Sequence, residues 1–229
     1  MSFDFSLIID SIPKMLMGLG LTLQLLFISA VLGLALAVVL LLMRISGRWY
    51  LVWPSVTYIY IFRGTPILVQ IFIIYYGLPQ FEFIRDSILW PILREPFGCA
   101  ILALSMNTGA YVSEILRGGI LGVDRGLHEA GAALGLSVRQ RFVYITSPIA
   151  IRLAIPAYSN DIISLMKSTA LASTITLLDM MGIARTIVAE TYAPYEIFVS
   201  LAAIYMVLTW LAQKGFGRFE MRMSRYVKP

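Results

Sequence analysis

The chain is poor in cysteine, histidine and charge. Cys99 is its only cysteine and His128 its only histidine in 229 residues, and charged residues make up 14%. A single cysteine closes no intramolecular disulfide, and one histidine beside it provides no metal-ligand cluster. Cys99 is expected to be a small core or lipid-facing residue. No G-x4-G-K-[ST] phosphate loop occurs, so any ATP hydrolysis falls to another polypeptide. No internal repeat is visible, which leaves the inverted-repeat architecture of many secondary transporters without support. The N-terminus carries Asp4 and Asp10 and lacks a basic n-region and a small-residue cleavage site. Its first apolar segment is therefore expected to be retained.

What the chain has is apolar length. Hydrophobic residues reach 59% and the mean hydropathy is +0.82, against roughly 45–50% apolar and about 25% charged in soluble domains. Disordered, collagenous and disulfide-scaffold classes are excluded by the same comparison. Apolar runs at about 15–43, 53–79, 96–117, 153–178 and 195–214 predict five transmembrane helices in one domain, 1–229. The net charge of +5 is spread between these runs rather than massed as a nucleic-acid footprint.

Lysine and arginine set the expected orientation. With the N-terminus outside, Arg44, Arg48, Arg117, Arg125, Arg139, Arg141, Arg152, Lys214, Arg218, Arg222, Arg225 and Lys228 fall inside. Only Lys14, Arg85, Arg94 and Arg185 fall outside. Cytoplasmic loops are the ones enriched in basic residues, so the expectation is N-terminus out and C-terminus in. Trp49, Tyr50 and Trp53 then mark the inner interface, and Trp90 and Tyr192 the outer one.

Ionisable groups at membrane depth are functional hypotheses by default. At about 100° per residue, Asn160, Ser164 and Lys167 share a face of the fourth helix, and Asp161 and Ser168 extend it. The third helix repeats the pattern with Asn107, Tyr111 and Glu114. Two polar faces on neighbouring helices can enclose a hydrophilic pathway. Asp161 can meet a cationic side chain or an ammonium group, or it can compensate Lys167 across a helix interface. Glu114 can contact substrate, or pair with Arg117, Arg63 or a sibling subunit. Pro66 cannot donate to the Phe62 carbonyl, so the second helix should bend there. Arg63 beside it can snorkel or bind a carboxylate.

The long loop at 118–151 holds a short helix of its own. Asp124 is placed to cap it from Arg125 to Leu134, and Gly135 to stop it. Leu127 and Leu134 share one face beside Ala130 and Gly131. The residues alone suit either a knob for another protein's groove or an interfacial helix on lipid headgroups.

Here the sequence resembles a known family. Glu129-Ala130-Gly131, Gly135, Ile145 and Pro148 match the EAA signature of bacterial ABC importer permeases, with Gly131 and Ser147 departing from it. FRGTPILVQIFIIYYGLP at 62–79 and NTGAYVSEILRGGI at 107–120 resemble the second and third helices of the polar amino acid permeases. YSNDIISLMKSTALAS at 158–173 is similar to the fourth helix of M-type subunits of histidine, arginine and opine transporters.

The resemblance implies an all-α integral membrane protein with the type I ABC importer permease fold and a cytoplasmic coupling helix. It implies a bacterial inner-membrane importer subunit for polar, basic amino acids or opines. Arg125, Leu127, Glu129, Ala130, Gly131, Leu134 and Gly135 become the ATPase interface. The substrate pathway falls to Arg63, Asn107, Tyr111, Glu114, Asn160, Asp161, Ser164, Lys167 and Ser168. No catalytic or metal site is implied. ATP and Mg belong to a partner ATPase dimer, and a periplasmic binding protein and a second permease, a Q-type sibling, complete the expected assembly. The rival is an ion-coupled secondary transporter that uses Asp161 and Lys167. An intramembrane enzyme is weaker still, because it needs a nucleophile–base pair within the bilayer and the only histidine, His128, falls in a cytoplasmic loop.

Overall fold

The computed structural model describes residues 5–224, and among these there is no β-strand. Asp4, Arg225 and Lys228 lie outside the described residues. The helices are α1 (Phe5–Met17), α2 (Leu19–Ile45), α3 (Trp49–Gly64), α4 (Ile67–Phe72), α5 (Pro96–Leu121), α6 (Arg125–Ala133), α7 (Val138–Arg141), α8 (Ser147–Ser168), α9 (Met180–Thr191) and α10 (Pro194–Ser224). A π-turn at Phe142–Thr146 joins α7 to α8, and single turns at Glu82–Arg85 and Trp90–Leu93 fill the connection before α5.

Four helical stretches are long and apolar enough to cross a bilayer: Leu19–Ile45, Pro96–Leu121, Val138–Ile175 and Pro194–Met221. A fifth crossing comes from the pair Trp49–Gly64 and Ile67–Gln80, bent by 106°. The break falls at Thr65-Pro66, both in extended backbone, where the proline rule placed it.

The bundle is organised around α5, which packs along α2 on one side and α8 on another. Between helices in lipid, close approach of backbones counts for more than apolar burial, because lipid tails are as apolar as leucine. The buried stripe of α2 accordingly runs through Thr22, Leu25, Ser29, Gly33 and Ala37. A Cβ on Gly33 would lie 2.8 Å from Thr108, and one on Gly119 of α5 only 2.4 Å from the Ala150 carbonyl of α8. These glycines set how near the three central helices come.

Helix ends differ from the apolar runs for identifiable reasons. The first run starts as two helices, α1 and α2, broken at Gly18. There the chain presses on the backbone of Asp179 and Met180, and a Cβ would come within 2.5 Å of both. The amphipathic α1 buries Ser11 and Met15, with Met15 packed in a second core with Met180, Ile187 and Ile197 of α9 and α10. The fourth helical stretch begins at Val138, well before 153. A capping box between Ser137 and Gln140 nucleates it in charged sequence that hydropathy passes over. The last helix continues past 214 to Ser224, through a charged stretch that hydropathy also passes over.

Candidate functional site

The break in the second span builds the site. Because Pro66 has no N–H, the Phe62 carbonyl has no helical partner. Gln70, four residues after the proline and buried, replaces it. Its Nε2 donates to the carbonyl of Phe62 at 2.9 Å, that of Thr65 at 3.1 Å, and the Thr65 hydroxyl at 2.8 Å. Asn107 of α5 donates to Gln70 Oε1 at 3.0 Å and to the same Phe62 carbonyl at 3.2 Å. Sequence reasoning missed Gln70. The available signal was a lone amide in an apolar run, one turn beyond a helix-breaking proline.

Beside this staple lies a cavity of about 700 Å³. The broken segment contributes Arg63 to Ile67. α5 adds Asn107, Thr108, Tyr111 and Ile115, and α8 adds Ala157, Asn160, Asp161, Ser164, Leu165 and Ser168. Seven of the nine expected pathway residues therefore meet around one space. The Arg63 guanidinium stacks over the Tyr111 ring, 5.1 Å from its centroid. Asp161 holds its Oδ2 buried without a hydrogen-bond partner among the described residues. The cavity thus offers an arginine from α3 and an under-satisfied carboxylate from α8.

Lys167 and Glu114 do not line this cavity. The bordering arc of α8 is centred on Ser164 and Ser168, and Lys167 projects about 60° and 100° away from those two, toward α10. Glu114 is held between two guanidiniums. Arg117 Nη2 and Nε donate to its Oε2 at 2.8 and 3.1 Å, and Arg44 of α2 donates to Oε1. The Arg117 pairing was one of the expected alternatives, whereas Arg44 had shown itself only as a flanking positive charge. The triad ties α2 to α5 at the end of the bundle that carries α6.

Helix α6 forms over Arg125–Ala133 as its punctuation predicts. The Asp124 carboxylate accepts from the Gly126 N–H at 2.6 Å. At the other end, Gly135 adopts φ +76°, with Gly135 N–H bonded to Ala132 and Leu136 N–H to Gly131, a Schellman closure. Arg125, Glu129 and Ala130 are exposed, as are Leu127 (43%) and Leu134 (80%). Gly131 corrects the expected interface: it is buried against the chain's own α7–α8 junction. A Cβ there would meet Ile145 Cδ1 at 2.7 Å and the Arg141 stem at 3.2 Å. Arg141 also donates from Nη1 to the His128 carbonyl at 3.3 Å, clasping α6 to the start of α8. Among the described residues no group of His, Cys, Asp and Glu is arranged to hold a metal ion.

Known proteins are similar to this chain in sequence and in fold. The family model described as the binding-protein-dependent transport system inner membrane component matches residues 29–225. The chain is 47% identical to the octopine transport system permease protein OccM of Rhizobium meliloti, over 96% of this chain and 90% of that one. It is 46% identical to the nopaline transport system permease protein NocM of Agrobacterium fabrum, over 92% and 88%. With the histidine/lysine/arginine/ornithine transport system permease protein HisM of Escherichia coli it shares 40% identity, over 93% and 90%. A solved amino acid ABC transporter, crystallised with histidines, contains a chain 34% identical with a TM-score of 0.87, over 97% of this chain and all of that one. The methionine transporter MetNI in inward-facing form matches at 19% identity and a TM-score of 0.66, a likeness of fold alone. Matched by the family model over most of its length, and by such relatives nearly end to end, the chain belongs to the family of binding-protein-dependent transport system inner membrane components.

Proposed function

We propose that the cavity between α3, α5 and α8 carries polar, basic amino acids or opines through this subunit. The family makes the chain a transmembrane subunit of an ABC-type importer, itself no catalyst, that works in the inner membrane with an ATPase, a binding protein and a second permease. The substrate class rests on one observation: Arg63 and Asp161 border the same space. An amino acid carries a carboxylate that a guanidinium binds in a fork, and an ammonium or cationic side chain that a carboxylate receives. Relatives named for octopine, nopaline and basic amino acids agree with that chemistry.

In this reading the N-terminus lies outside and the C-terminus inside, so that α6 faces the cytoplasm. The exposed Arg125, Leu127, Glu129, Ala130 and Leu134 form the contact with the ATPase, and Gly135 stops the helix behind them. ATP and Mg2+ are held by the ATPase dimer, with none bound by this chain. The second permease is a Q-type sibling. An ion-coupled mechanism through Asp161 and Lys167 has nothing in its favour, since the two residues border different cavities.

The test is Asp161→Asn in the complete importer, reconstituted in proteoliposomes with its binding protein. Uptake of labelled arginine or octopine should fall by about tenfold, the equivalent of one charge-assisted contact. Uptake equal to wild type at equal incorporation would remove Asp161 from the pathway.

A further inference from the structure

Arg63 and Glu114 stand near each other without pairing, although each is a natural partner for the other. Arg63 is exposed on the cavity, and its guanidinium lies over the Tyr111 ring rather than in an ion pair with any described residue. Tyr111 and Glu114 are three residues apart on α5, so their side chains share a face. Arg63 is close enough for its charge to act on Glu114, as do those of Arg44 and Arg117. Three guanidiniums thus surround one carboxylate. Asp161, the carboxylate that borders the cavity, does not hold Arg63 either, since its Oδ2 has no partner among the described residues.

Occupancy of the carboxylate accounts for this. Arg117 donates to both oxygens, from Nη2 and Nε to Oε2 at 2.8 and 3.1 Å and from Nε to Oε1 at 3.3 Å. Arg44 of α2 supplies the other bond to Oε1. The Glu114 side chain is only 16% exposed, a setting in which an ion pair counts for more than it does in water. Arg117 comes from one turn along the same helix and stays beside Glu114 whatever the neighbouring helices do. Arg44 comes from another helix, 70 residues away in the chain. Without Arg44, Oε1 becomes an acceptor within the field of an uncommitted guanidinium, that of Arg63.

We propose that Arg44 is a positioning residue for the substrate site: by saturating Glu114 it keeps Arg63 free to bind the carboxylate of the transported amino acid. Arg44 does not line the cavity, so it acts through Glu114 and Arg63. The proposal rests on the reading of Arg63 and Asp161 as substrate contacts, and adds a control over one of them from α2. Once Arg44 is removed, Glu114 draws Arg63 off the Tyr111 ring into an ion pair, and a substrate carboxylate has to displace Glu114 before it binds.

The experiment measures equilibrium binding of labelled arginine to the intact importer complex, purified in detergent and freed of its binding protein. Arg44→Gln leaves Glu114 paired with Arg117, so no charge is stranded, and is expected to weaken binding about tenfold, the scale of one charge-assisted contact. Arg44→Lys keeps a cation on Oε1 and should stay within about twofold of wild type. Glu114→Gln added to Arg44→Gln should restore binding to the same range, because an amide does not hold Arg63 as an anion does. In an Arg63→Gln background, Arg44→Gln should add nothing. A merely structural loss of the α2–α5 tie would add in both backgrounds and would not be restored by Glu114→Gln. Binding unchanged by Arg44→Gln, or a defect that Glu114→Gln leaves in place, overturns the proposal, and weaker binding by Arg63→Gln alone then leaves the substrate reading standing. Binding by Arg63→Gln equal to wild type removes that reading and the proposal with it.

Discussion

Gln70 and Phe62 are joined by a 2.9 Å hydrogen bond from side-chain amide to carbonyl, and this bond occupies the acceptor that Pro66 strands. The 106° bend is thus a satisfied structure rather than a loose hinge. Gln70→Leu keeps the volume and removes both the donor and the acceptor that Asn107 uses. It should lower the stability of the purified complex by about 1–3 kcal/mol, the range for a buried group left unpaired. A thermal unfolding midpoint equal to wild type would mean that Asn107 alone suffices for the Phe62 carbonyl.

Arg63 and Tyr111 make a second pairing whose geometry separates charge from shape. A guanidinium over a ring keeps its edge free for a carboxylate, and a lysine provides the charge without the fork. Arg63→Lys is expected to raise the KM for uptake by about tenfold, the equivalent of 1.4 kcal/mol. Tyr111→Phe retains the ring face and should stay within about twofold. Uptake kinetics in proteoliposomes decide it. A KM unchanged by Arg63→Lys would leave Arg63 a snorkelling residue with no part in binding.

Much of this site was legible in the sequence because its causes are local. Pro66 announces the break by sterics, Asp124 and Gly135 bound α6 by capping, and the spacing of Asn160, Ser164 and Ser168 gives one face of a helix. What was not legible depends on distant chain. Gly18 separates α1 from α2 because Asp179 and Met180 lie against it, some 160 residues later in the sequence. Lys167 falls beside Asn160 on a helical wheel, but which arc of α8 meets the cavity is decided by where α3 and α5 pack. Arg44 looked like a topology marker until α2 and α5 brought it to Glu114. Gly131 read as part of an outward motif, and only the return of Arg141 and Ile145 makes it an inward one.

Arg141 links α6 to the helix that bears Asp161, through its bond to the His128 carbonyl and the contact of its stem with Gly131. If α6 moves with the ATPase, this clasp is what makes the base of α8 move with it. Arg141→Ala should leave the ATPase bound and hydrolysing while substrate imported per ATP falls by about tenfold, a loss near 1.4 kcal/mol of coupling. Gly131→Ala should act more mildly, since its new Cβ meets the flexible end of Ile145. Gly135→Ala costs about 1 kcal/mol by forcing a side chain into positive φ. Import and hydrolysis measured on the same proteoliposomes test the clasp. A parallel fall in both rates after Arg141→Ala would show lost assembly rather than lost coupling.

Asp179 lies between the spanning segments, fully buried, and caps α9 by accepting from the Gly182 N–H at 2.9 Å. Its other oxygen has no partner among the described residues. Burial pushes this carboxyl up to about 6 from 3.8, against backbone hydrogen bonds that favour the charged form. The sign follows from proton binding. Between about pH 4 and 6 the folded chain holds a proton here that the unfolded chain has released, so stability falls as pH rises through that window. Below it the contribution is fully present, and above it the loss is complete, at most about 3 kcal/mol for a shift of roughly two units. Asp179→Asn keeps a capping oxygen and cannot ionise. The unfolding midpoint of wild type relative to this variant should therefore drop from pH 4 to 6 and stay level from 6 to 7.5. A difference that is flat across the whole range would show that Asp179 ionises alike in the folded and unfolded chain.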